Sequence, residues 1–304
     1  MTATSDAFPS TPAPAARLAR TRPFFWSVRR ELWEHRAIYL GPVVAAAVVL
    51  FGVVLGHFTS HQMVIRSRSM HPTALPPILP YLFAAGAITL TSAIVGVFYC
   101  LAALNAERRD RSVLFWKSLP VSDLTTVLSK LVLPALILPL VTLVVVFATH
   151  LLMLGMAILA SSVGGGSTAA FLANLPLGQV WLDYAYALLL LVFWWAPVWA
   201  WLLLASAWAK RMTFLWGVGP PLAICVVEGM AFPGQPNYAA RALGERMLSG
   251  IGVGFTTPPH ENSIALPWPD PMPFLASPGL WIGLVVAAAM LAGAVWLRRR
   301  REPI

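Results

Sequence analysis

Charge is what this chain of 304 residues has least of. Asp, Glu, Lys and Arg together make 11% of it, against 58% hydrophobic residues. A soluble domain carries about 25% charged residues and roughly 45–50% apolar ones. Too little charge remains to coat a soluble globule of this size. Cysteine is nearly absent as well. Cys100 and Cys225 both sit in apolar runs, so a disulfide scaffold is excluded. The phosphate-binding pattern G-x-x-x-x-G-K-[ST] is missing, and the one glycine run, Gly164-Gly165-Gly166, has no lysine behind it. Neither H-E-x-x-H nor G-x-S-x-G occurs. The chain therefore offers no catalytic set, no cofactor-binding motif and no metal-binding motif.

Long apolar runs are plentiful, and they read as an all-α membrane protein. About 20 mainly apolar residues cross roughly 30 Å of hydrocarbon. Six segments qualify, at 37–58, 78–104, 131–160, 181–208, 212–232 and 278–297. The net charge of +9 raises the question of nucleic acid, and its placement answers it. Seventeen of the 21 Lys and Arg residues fall on one side if both termini are cytoplasmic. The positive-inside rule then gives N-in/C-in and a multi-pass protein. Topology accounts for the basic balance without nucleic acid. The first apolar run begins behind a long Arg-rich tail and is long enough to span, which does not fit a cleaved signal peptide.

The segments between the spans carry their own patterns. Residues 1–21 are rich in Pro, Ala and Ser and read as a disordered cytoplasmic tail ahead of one membrane domain, 22–304. Residues 22–36, RPFFWSVRRELWEHR, read as an interfacial helix. Phe24, Phe25, Val28 and Leu32 share its apolar face, and Arg22, Arg29, Arg30 and Arg36 supply cations. Residues 105–130 form the main cytoplasmic loop, in which charged ERRDR runs directly into VLFW and then SLPVSD. Pro120 interrupts the helix there, and Ser122 or Asp123 can cap the next one. A short helix at about 112–118 would expose Val113, Leu114, Phe115 and Trp116, an apolar patch that needs lipid or protein to cover it. Residues 233–277 form the outer loop, with a predicted helix at 238–248.

The run from Glu107 to Lys130 resembles the first cytoplasmic loop of ABC-2 type transporter permeases. The matching positions are Glu107, Ser112, Val113 to Trp116, Leu119-Pro120-Val121-Ser122 and Lys130, with Arg111 standing where the family commonly has Gly. The plan of a surface helix, six spans and a long outer loop after the fifth matches too. The resemblance implies the transmembrane subunit of a bacterial inner-membrane ABC exporter, with the short helix acting as a coupling helix between spans 2 and 3. It implies contact with a separate ABC ATP-binding subunit through Glu107, Arg108, Arg109, Arg111, Ser112, Val113, Leu114, Phe115, Trp116, Leu119 and Pro120. It also implies pairing with a second permease subunit, and ATP and Mg on the partner rather than on this chain. Two other readings stand beside it: a membrane-embedded lipid-modifying enzyme, and a non-transporting membrane regulator of ABC-2 type.

Within the spans, Gly217-Val218-Gly219-Pro220-Pro221 predicts a kink or break in span 5, either static or shaping a substrate path. Asp183 and Glu228 are intramembrane carboxylates near the outer interface. They are solvated there or, for Glu228 in particular, serve in pairing or a pathway. Gly52-x-x-x-Gly56 and Gly279-x-x-x-Gly283 allow close helix contact within or between subunits.

Overall fold

The computed structural model describes residues 21–64, 78–109, 121–163, 175–233, 235–249, 252, 254–256 and 268–300. It is almost wholly helical, and six helices are long and apolar enough to cross a membrane. The chain is thus built as a multi-pass membrane protein. The helices are α1 (Thr21–Glu34), α2 (Ala37–Val64), α3 (Leu79–Arg109), α4 (Asp123–Val132) and α5 (Leu138–Val163). They continue with α6 (Leu177–Trp194), α7 (Ala196–Trp208), α8 (Thr213–Ala231), α9 (Tyr238–Gly244), α10 (Pro271–Ala276) and α11 (Pro278–Arg300). A small antiparallel hairpin pairs β1 (Phe255–Thr256) with β2 (Trp268–Pro269).

α3 is the staff around which the bundle is arranged. Near its last turns the Ser206 hydroxyl of α7 donates to Leu101 O at 2.8 Å and accepts from Leu104 N and Asn105 N at 3.1 and 3.0 Å. Further along, Gly96 lets the Trp199 ring lie against the helix, since a Cβ there would come within 2.9 Å of it. Ser92 then accepts from the Thr142 hydroxyl at 2.8 Å, and the Thr89 and Tyr184 hydroxyls meet at 2.7 Å. At the far end His150 is closed off from solvent. Its Nδ1 accepts from Trp181 Nε1 at 3.1 Å, so Nε2 carries the proton and donates to Tyr81 O at 2.9 Å. Each polar group on this ladder finds its partner on a neighbouring helix, as a bundle without water requires.

Prolines shape the spans, though not where the sequence pattern placed the break. Span 4 was expected to run unbroken over 181–208. It begins at Leu177 and breaks at Trp195, between α6 and α7. Pro197 stands in the first turn after the break, where it has no N–H to give the Phe193 carbonyl one turn back. The interruption frees the Trp194 carbonyl, which accepts from Arg246 Nη1 at 3.2 Å. Arg246 Nη2 also donates to Gly279 O at 2.8 Å, and the guanidinium lies 4.2 Å from the Trp194 ring centre. Gly283 makes room for that guanidinium, since a Cβ would fall 2.6 Å from Nη2. Within the chain, the Gly279-x-x-x-Gly283 pair thus accommodates Trp194 and Arg246.

Span 5 was expected to kink or break at Pro220-Pro221, and α8 runs through both prolines without a break. Pro221 cannot donate to Gly217 O, and the Trp201 indole does so instead at 2.7 Å. In span 3, Pro134 removes the donor for the Lys130 carbonyl, and the helix widens into a π-turn at Leu133–Ile137 before resuming as α5.

Replacing Trp201 by Phe will strand the Gly217 carbonyl and lower stability by about 1–3 kcal/mol. Adding Pro221→Ala to that variant restores a backbone donor at the same carbonyl. Thermal unfolding in detergent should show the double variant recovering most of the loss. A double variant no better than the single would remove the carbonyl from the explanation.

Candidate functional site: a buried ion cluster

Among the described residues Lys130 is the largest side chain with almost no exposure, at 1%. Its ammonium bonds Glu31 Oε1 at 2.6 Å and lies 3.1 Å from Glu107 Oε1. Glu107 passes the chain on through its other oxygen, which accepts from Arg298 Nη1 at 2.5 Å. Arg298 Nε reaches Asp123 Oδ1 at 3.0 Å. Glu31 Oε2 accepts from the Tyr99 hydroxyl at 3.1 Å and lies 3.6 Å from His35 Nε2. Anions and cations alternate along the line Glu31, Lys130, Glu107, Arg298, Asp123.

Each member comes from a different place in the sequence, and local structure sets each in position. Glu31 follows Val28 by three residues, so it lies on the face of α1 whose Val28 and Leu32 pack on the core. Ser122 caps α4 by accepting from Thr125 N at 3.1 Å, as expected from the sequence. Asp123 stands in the first turn of α4 and Arg298 in the last turn of α11, where the helix dipoles favour their charges. Glu107 ends α3 together with Arg108, whose Nη1 donates to Ala207 O at 2.7 Å at the end of α7. A buried ion pair costs several kcal/mol of desolvation, so a cluster like this mainly fixes how its elements meet.

Two of the residues expected to meet a separate subunit are therefore turned inward. Glu107 and Arg108 are both buried and bonded within the chain, because their partners lie on α4, α7 and α11. Arg109 is exposed at the end of α3. Arg111, Ser112, Val113, Leu114, Phe115, Trp116, Leu119 and Pro120 lie outside the described residues, as do residues 1–20. On α1 the predicted apolar face is divided. Val28 and Leu32 pack against the core, while Phe25 is 60% exposed beside Trp26 and Trp33. Arg29 lies between those two tryptophans, 5.1 and 5.3 Å from their ring centres.

Glu228 is taken up by structure. Its two oxygens accept from Tyr238 N at 3.0 Å and Ala239 N at 2.7 Å, which caps the start of α9. That helix continues through a π-turn to Ser249, close to the predicted 238–248. Among the described residues, neither oxygen of Asp183 has a hydrogen-bond partner. Among the described residues, Glu31, Glu34 and His35 bring ligand atoms within 4.8 Å of one another. Glu31 is held by Lys130 and Tyr99, however, and Glu34 by Arg30, so the trio's acceptors are already in use.

Glu31, Lys130 and Arg298 were not recognised as site residues from the sequence. The legible signal was Glu31, a carboxylate on the apolar face of an amphipathic helix. Comparison with known proteins finds no matching family model, no matching curated protein and no matching solved structure.

Lys130→Met leaves Glu31 and one side of Glu107 buried without a counter-charge, and should cost about 3–5 kcal/mol. Glu31→Gln combined with Lys130→Met should cost clearly less than the two singles added. Additive losses in a thermal-unfolding cycle would show that the pair is not coupled. His35 adds a pH dependence. Burial lowers its pKa; Glu31 opposes the shift, and Lys130 reinforces it. The stability it contributes is full above about pH 6.5, the unfolded value. It declines as the pH falls from there through the lower folded value, because the unfolded chain binds the proton first. His35→Gln should flatten the fall in thermal midpoint between about pH 6.5 and 5.

Proposed function

We propose that the chain is the permease subunit of an ABC-2 type ATP-driven exporter of the bacterial inner membrane. On this reading both termini are cytoplasmic, and a separate nucleotide-binding subunit carries ATP and Mg. A second permease subunit completes the path, and substrate moves across or out of the membrane. Residues 112–118 form the coupling helix that docks on the ATP-binding subunit. Arg109, Arg111, Ser112, the apolar residues Val113 to Trp116, Leu119 and Pro120 make the contact.

One observation carries the reading. Arg298 bonds Glu107, three residues before the 110–120 segment, and Asp123, three residues after it. Both banks of the segment that resembles a coupling loop are thus fastened to one guanidinium on the last span. Lys130 ties the same Glu107 to α1. A load applied to the loop has a short, buried and charge-compensated route into α1, α3, α4 and α11. An anchor loop with no mechanical role would have no need of such a route.

The test is co-expression with the ATP-binding subunit encoded nearest to this chain. The pair should co-purify. Phe115→Asp with Trp116→Asp should weaken association by about 30-fold or more, the loss of a ~2 kcal/mol hot spot. ATPase activity should then no longer respond to the permease. A double variant that keeps its thermal midpoint, its association and its ATPase coupling would sink the assignment.

A further inference from the structure

The turn between α7 and α8 holds a cavity of about 680 Å³, lined by Trp208, Lys210, Arg211, Met212, Leu215 and Trp216. We infer that it is a headgroup site for an anionic phospholipid in the leaflet at the charged end of the bundle. Among the described residues the charge lining the cavity is of one sign. Lys210 and Arg211 are adjacent and exposed, and no described carboxylate lines the space. Many of the other described cations are engaged within the chain. Lys130 and Arg298 sit in the buried cluster, Arg30 and Arg241 pair along their own helices, and Arg108 and Arg246 bind carbonyls. Lys210 and Arg211 take part in none of the ion pairs seen among the described residues.

The turn is held in place from behind. Ala209 N donates to Ala205 O at 2.8 Å, and Ala209 O accepts from Asn105 Nδ2 at 2.6 Å. Arg108 takes the Ala207 carbonyl. The Ala207 and Ala209 carbonyls, which would repel a phosphate, are therefore occupied by donors from α3. Met212 adopts a left-handed backbone, φ 54°, which turns the chain sharply into α8. The two cations thus stand on a fixed turn at the end of two apolar helices.

The remaining walls point to a lipid rather than a free phosphate. The Trp208 and Trp216 rings lie 5.0 Å apart at 49°, and both are nearly half exposed. Tryptophan favours the depth of the glycerol and headgroup region. Leu215 follows on the same helix, 61% exposed. A ligand with a phosphate for Lys210 and Arg211 and acyl chains for Leu215 and the indoles matches both parts. A free phosphate would leave the indole and leucine walls uncovered.

The test offers the purified full chain, in detergent, equal amounts of phosphatidylglycerol and phosphatidylcholine with the same acyl chains. Native mass spectrometry should show about tenfold preferential retention of phosphatidylglycerol, in keeping with two cations at an anionic headgroup. Lys210→Gln with Arg211→Gln should abolish the preference, and Lys210→Arg with Arg211→Lys should keep it. Arg17→Gln with Arg20→Gln removes the same charge elsewhere and should change nothing. In vesicles, brominated phosphatidylglycerol should quench the fluorescence removed by Trp208→Phe with Trp216→Phe more than brominated phosphatidylcholine does. Equal loss of preference in both Gln pairs would reduce the effect to net charge and overturn the site. So would displacement of the lipid by millimolar inorganic phosphate, or an unchanged preference in the Lys210/Arg211 Gln pair.

Discussion

The ammonium of Lys130 has to be neutralised inside an apolar bundle, and much of this molecule is arranged to meet that need. An isolated charge in such surroundings costs many kcal/mol. The structure resolves this with a line of alternating charges rather than one pair. Lys130 is shared by Glu31 and Glu107, and Arg298 by Glu107 and Asp123. The groups come from α1, α3, α4 and α11, so satisfying the charges also fixes the ends of four helices. α1 is consequently a docked element. Its inner face holds Glu31 against Lys130, and its outer face presents Phe25, Trp26 and Trp33. Tyr99 supplies a further hydrogen bond to Glu31 from the middle of the core.

The same constraint acts on uncharged backbone. A carbonyl freed in an apolar setting has no water to turn to. Pro221 frees Gly217 O, and the Trp201 indole takes it. The break at Trp195 frees Trp194 O, and Arg246 takes it. The end of α7 leaves Ala207 O, and Arg108 takes it. At Gly217 a neighbouring side chain thus supplies the donor that a proline removes. Trp201 lets α8 stay continuous across two prolines, while the single Pro197 coincides with a division of span 4 in two.

This explains which parts were legible in the sequence. The six spans follow from apolar length alone, and the Ser122 cap and the helix after Asn237 follow from local residue chemistry. The consequences of prolines do not, because the deciding donor is remote: Trp201 is 16 residues from Gly217. The ion cluster was hidden for the same reason. Glu31 and Lys130 are 99 residues apart, and Glu107 and Arg298 are 191 apart. Each taken alone looks like an interfacial charge near a span end. Glu107 is the clearest example. Its place before a polar loop suggests a surface contact, yet its carboxylate is where two buried cations meet. Glu31 was the readable exception, since an acid on an apolar helix face needs a partner from outside its own helix.

The sharing of each cation between two anions bears on how such a cluster could move. A single buried pair can only break, which leaves a charge uncompensated at a cost of about 3–5 kcal/mol. In a shared arrangement, a shift of Asp123 relative to Glu107 changes how Arg298 divides between them without stranding either cation. Lys130 can redistribute in the same way between Glu31 and Glu107. Under the proposed coupling, a push on the 110–120 segment would move Asp123 and Glu107 against each other by a small amount. The cluster would pass that movement to α11 through Arg298 and to α1 through Lys130 while every charge kept a counter-charge. A purely apolar contact at the same place would have no such set of alternative pairings.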